Sequence, residues 1–60
     1  MNQKFNEEIA EIRNASLNIS AILARMRNGK LTEVSALFEI NNQNIRIQRA
    51  LAKILDGNKI

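Results

Sequence analysis

Asn28-Gly29-Lys30-Leu31-Thr32, near the middle of a 60-residue chain, reads as the end of one helix and the start of another. Gly29 has no Cβ and accepts the left-handed conformation in which many helices terminate. Thr32 carries a hydroxyl that can accept from the unpaired N–H groups opening a second helix. Leu31 and Ala36 stand at the N′ and N4 positions of a hydrophobic staple across that opening. There is no proline, and the only other glycine, Gly57, lies where a second helix would need its own C-cap. The charge order agrees with two helix dipoles. Glu7, Glu8 and Glu11 precede Arg25, Arg27 and Lys30, and Glu33 and Glu39 precede Arg46, Arg49 and Lys53.

Outward from this turn, the spacing predicts helix 1 over about 3–28, a turn over 29–32 and helix 2 over about 33–56. The chain is therefore expected to be a single all-α domain, an antiparallel two-helix hairpin. In helix 1, Phe5, Ile9, Ile12, Ser16, Ile19, Leu23 and Met26 form a heptad seam, widened by Ala15 and Ile22. Ala10, Leu17, Ala21 and Ala24 make a thinner stripe elsewhere on the helix. Helix 2 carries two seams. One is Leu37, Ile40, Asn44, Ile47, Leu51 and Ile54; the other is Val34, Phe38, Asn41, Ile45, Gln48, Ala52 and Leu55. Together they are too broad for one partner helix to cover. So short a chain also buries little surface alone, and without cysteine or histidine it has neither disulfides nor the usual zinc ligands. A homo-oligomeric helical bundle is the expected way to cover the remainder.

The anomaly is polar. Asn41, Asn44 and Gln48 fall in the middle of the broad face of helix 2, and folding about Lys30 brings Ser16 close to the level of Asn44 and Ile45. Arg13 then stands at a height similar to Arg46, Gln48 and Arg49. Such groups can pair across subunits and fix register and oligomer number. They can also line a pocket between subunits, where guanidinium forks hold phosphate and amides contact a base or ribose. Both readings stand at this point. The candidate ligand-binding residues are Arg13, Asn44, Arg46, Gln48 and Arg49.

Several function classes are disfavoured. No histidine or cysteine can serve as base, nucleophile or soft metal ligand, and Asn28-Gly29-Lys30 is a turn and not a phosphate loop. No catalytic residue, cofactor or metal is expected. The net charge of +3 favours an anionic partner. Tyrosine and tryptophan are absent, and Phe5 and Phe38 lie on apolar seams, so base-stacking on a nucleic acid is poorly provided for. The polar, acidic start is not expected to be a signal peptide, and no apolar run approaches a bilayer's thickness. A cytoplasmic protein without membrane association is expected, and the triplets Asn14-Ala15-Ser16 and Asn18-Ile19-Ser20 are then accidental glycosylation matches.

Two stretches, EIAEIRNASLNISAILARM (Glu8 to Met26) and FEINNQNIRIQRALAKIL (Phe38 to Leu55), resemble the paired long helices of bacteriophage anti-CBASS sponge proteins. Arg13 matches a cation on the first long helix, and the polar stretch from Gln43 to Arg49 is similar to the middle of the second. The present chain is shorter, is expected to lack the family's extra N-terminal helix and has no tyrosine to stack on a base. The resemblance implies a homo-oligomer that sequesters a cyclic nucleotide signal between subunits, without chemistry, in an infected host's cytoplasm. Two alternatives belong to other classes: a small helical regulator or inhibitor docking on a host protein, and a Rop-like RNA-binding hairpin similar in architecture only.

Overall fold

At the turn, a computed structural model, which describes residues 4–57, shows both caps anticipated from the sequence. Gly29 takes φ 75°. Its N–H donates to the Met26 carbonyl at 3.0 Å, and the Lys30 N–H donates to the Arg25 carbonyl at 2.9 Å. This pair of bonds is a Schellman motif, which satisfies carbonyls left open at the helix end. On the other side of the turn, Thr32 Oγ1 accepts from the Ser35 N–H at 3.1 Å. The first bond of the second helix follows, from the Ala36 N–H to the Thr32 carbonyl.

The chain thus forms α1 (Asn6–Arg27) and α2 (Glu33–Gly57), antiparallel and joined by that turn. No strand occurs among the described residues. The helices are roughly 33 and 38 Å long at 1.5 Å per residue. Helix α1 begins later than the sequence suggests. Phe5 occupies its N-cap without a side-chain bond, and Lys4 and Phe5 form a turn before it. Residue 3 lies outside the described residues.

The two helices touch along narrower and smaller side chains than the seams predicted from sequence. The packed positions are Phe5 at the N-cap of α1, then Glu8, Ile12, Ala15, Ile19, Ile22 and Met26 on α1; on α2 they are Ala36, Ile40, Gln43, Ile47, Ala50, Ile54 and Gly57. The buried core is Ala15, Ile22, Ala36 and Ala50, with no large side chain fully enclosed. Alanine at these levels lets the two backbones approach closely. The consequence is a correction: Ile9, Ser16, Leu23, Leu37, Asn44 and Leu51 were assigned to the seams, and all are exposed.

Gly57 also departs from the expected C-cap role. It is the last residue of α2, and a Cβ there would lie 2.8 Å from Phe5 Cε1. Its bare Cα makes room for the Phe5 ring at the open end of the hairpin. No basic residue occupies the last turn of α2, because the helix continues a turn beyond Lys53. The cation arrives from the turn that precedes α1. Lys4 Nζ donates to the Gly57 carbonyl at 3.1 Å and stands 5.3 Å from the Phe5 ring centroid. No helix among the described residues is long and apolar enough to cross a membrane.

Candidate functional site

One broad side of the hairpin is built from polar residues that engage each other. Arg46 Nε donates to Glu11 Oε2 at 2.7 Å, joining α2 to α1. Arg46 Nη1 donates to Gln43 Oε1 at 2.8 Å, and the same oxygen accepts from Asn18 Nδ2 at 3.1 Å. Nearer the turn, Arg25 and Glu39 pair at 3.6 Å. Glu7, Glu8, Glu11, Arg46, Arg49, Ala50 and Lys53 line an open cleft toward the other end. Its wall carries both signs of charge, so the cleft is largely self-neutralising.

The hydrogen bond from Arg46 holds Glu11 below the ordinary carboxylate range. Partial desolvation opposes it, and the charges of Arg46 and Lys53 add to the lowering. A carboxyl lowered on folding stabilises the fold above its unfolded pKa of about 4.3, and the benefit fades as pH falls through the lower folded value. Thermal melts followed by circular dichroism at pH 6 and at pH 2.5 should therefore differ less for Glu11→Gln than for the wild type. An equal loss in both proteins would mean that this pair contributes nothing to acid sensitivity.

The five candidate residues separate onto two sides. Arg46 and Arg49, three residues apart on α2, belong to the polar side, although Arg46 is already occupied by Glu11 and Gln43. Asn44 and Gln48 are each two residues from Arg46, roughly 200° around the helix at 100° per residue. They therefore leave α2 on the other side. Arg13 stands in the same relation to Glu11 on α1. Arg13, Asn44, Gln48 and Arg49 are all exposed. One hairpin thus brings Arg46 and Arg49 together and leaves Arg13, Asn44 and Gln48 on the opposite broad side.

The sequence pattern did not single out Glu11, Asn18 or Gln43 as site residues. Once the turn fixes the register, their levels are readable: Asn18 meets Gln43, and Lys4 meets Gly57. Among the described residues no acidic cluster could hold a metal ion. The chain matches no protein-family model, no curated protein and no solved structure.

Proposed function

We propose that this protein is a non-enzymatic binder that works as an assembly of copies in the cytoplasm and sequesters an anionic nucleotide. The observation that carries the reading is the division of its arginines. Arg25 and Arg46 have carboxylate partners within the hairpin. Arg13, Arg27 and Arg49 are exposed and have no ion pair among the described residues; Arg27 stands in the last turn of α1, away from the level of Asn44 and Gln48. Free guanidinium forks suit phosphate, and the exposed amides of Asn44 and Gln48 can donate and accept toward a base or ribose. Since Arg13 and Arg49 lie on opposite sides of one hairpin, a pocket using both draws them from different copies. The resemblance to phage sponge proteins supplies the ligand class, a cyclic oligonucleotide, and with it a role as a phage-encoded antagonist of nucleotide immune signalling.

The chain has no tryptophan or tyrosine, so bound nucleotide is directly visible near 260 nm. Protein incubated with a panel of cyclic di- and trinucleotides and then desalted should retain a defined nucleotide, released by heating and identified by mass. Arg13→Ala/Arg49→Ala should lower the affinity at least about 100-fold, as expected for losing two charge-assisted contacts, while helicity is kept. Unchanged affinity would remove these residues from the site, and a silent spectrum across the panel would remove the ligand class. Retention of long nucleic acid with a steep salt dependence would favour the Rop-like alternative.

A second reading, docking on a host protein, is favoured by one feature. Val34, Leu37, Phe38 and Asn41 line a shallow apolar groove, with Phe38 69% exposed. Phe38→Asp would abolish that activity, whereas the double arginine variant would leave it intact.

A further inference from the structure

The uncovered broad side of the hairpin has an order along it. Helix α1 contributes Ile9, Ser16 and Leu23 at heptad spacing, and α2 contributes Leu37, Asn44 and Leu51 at the same spacing. The bonds Lys4–Gly57 and Asn18–Gln43 show that equal steps along the two helices run in opposite directions. Within one residue, Ile9 is therefore level with Leu51, Ser16 with Asn44, and Leu23 with Leu37. The face reads apolar, polar, apolar, and the polar level is its midpoint. None of these six residues is charged; Arg13 and Arg27 on α1 and Gln48 on α2 share this side and flank them. The aliphatic ones are 52% (Ile9), 37% (Leu23), 63% (Leu37) and 44% (Leu51) exposed.

From this order we infer that the face is the contact between two copies of the chain, which pair face to face into a four-helix bundle. The inference rests on the self-association in the proposed function and not on its ligand. A twofold axis in the plane of the face, through the Ser16–Asn44 level, lays hydroxyl and amide on their counterparts and aliphatic levels on aliphatic levels. This holds whether the two turns lie at one end or at opposite ends. The pattern is thus complementary to itself, as an isologous contact requires. An amide both donates and accepts, so Asn44 can pair with its own copy or with Ser16 of the other. Sliding the copies by one heptad, two helical turns, would set amides against leucines, so the polar level fixes register.

The size of the surface agrees. The hairpin is a slab of 47 × 20 × 10 Å with a radius of gyration of 14.2 Å, against about 10 Å for a compact chain of this length. It exposes 4876 Å², whereas a compact 6.8 kDa monomer exposes about 4000 Å². The excess of roughly 900 Å², spread over the whole slab, leaves room for the ~800 Å² that each partner buries in a standard interface.

A chain without cysteine permits a clean test. Sedimentation equilibrium should give the mass of a dimer or a multiple of it. Ser16→Cys and Asn44→Cys proteins, oxidised separately and as an equimolar mixture, should form disulfide dimers at least about tenfold faster than Asn14→Cys and Asn42→Cys. Those controls are two residues away on the opposite side of each helix, and circular dichroism confirms that all four variants remain helical. Cross-linking of each variant to itself means turns at opposite ends, and cross-linking mainly in the mixture means turns together. Faster cross-linking at Asn14→Cys or Asn42→Cys, in a protein that still sediments as an oligomer, would overturn this face and leave self-association standing. A helical monomer up to ~1 mM would overturn both. Loss of nucleotide retention alone would touch only the ligand.

Discussion

Ala15→Leu should lower the melting temperature by roughly 10–20 °C, or leave the chain unfolded at 25 °C. Leucine and alanine differ little in helix propensity, so the substitution does not act through α1 itself. It acts through the space between the helices. Ala15 and Ala36 have no exposed surface, and Ala50 is nearly as enclosed. Added methylenes at such a position cost about 1–3 kcal/mol, sometimes more, by forcing side chains off their rotamers and backbones apart. A chain of 60 residues has a total stability of about 3–9 kcal/mol. Each lost kcal/mol lowers the melting temperature of so small a domain by about 4–8 °C. Ala36→Leu should do the same from the other helix. Ala21→Leu is the control, because Ala21 is exposed and the change there should stay within about 0.5 kcal/mol. Equal melts for Ala15→Leu and Ala21→Leu would show that the alanines do not set the helix separation.

The same alanines explain what could and could not be read from the sequence. The turn was fully legible, because Gly29 and Thr32 act through their own backbone and hydroxyl and need no distant partner. The helix that follows was legible to within a residue for the same reason. The packed seam was legible in part: Phe5, Ile12, Ile19, Met26, Ile40, Ile47 and Ile54 pack as read, and the alternate steps between them do not. Ile9, Ser16 and Leu23 lie one residue beyond Glu8, Ala15 and Ile22, about 100° around the helix, and the apolar pattern favours the larger side chains. Close antiparallel contact favours the smaller ones. Likewise on α2, Ala36, Gln43 and Ala50 pack while Leu37, Asn44 and Leu51 stay exposed. The candidate site fared similarly. Arg13, Gln48 and Arg49 were rightly placed at similar heights, but height along a hairpin carries no information about side. The bond from Arg46 to Glu11 assigns the sides, and it depends on a register that no single helix encodes.

Asn44→Leu should raise stability and loosen assembly together. If two copies meet at the Ser16–Asn44 level, two amides per dimer leave water there. A buried asparagine that fixes register does so at a cost in stability, and replacing buried ion pairs by well-packed apolar groups is neutral or stabilising by up to about 1–4 kcal/mol. The melting temperature at fixed protein concentration should then rise by ~10 °C or more. With leucine at the midpoint, the face becomes apolar over most of its length, and slipped or larger assemblies no longer place an amide against a side chain that cannot pair with it. Sedimentation velocity should broaden from one species to several. Were Asn44 to stay in water, the change would remain within about 0.5 kcal/mol and the sedimentation profile would not move. Nucleotide retention separates the residue's two proposed roles. An amide serving as a register device loses uniqueness of assembly on substitution, and retained ligand falls only as far as the copies slip. An amide serving as a ligand contact loses affinity in every assembly, including the dimers that remain in register. Measuring retention on the dimer fraction alone therefore decides which role Asn44 plays.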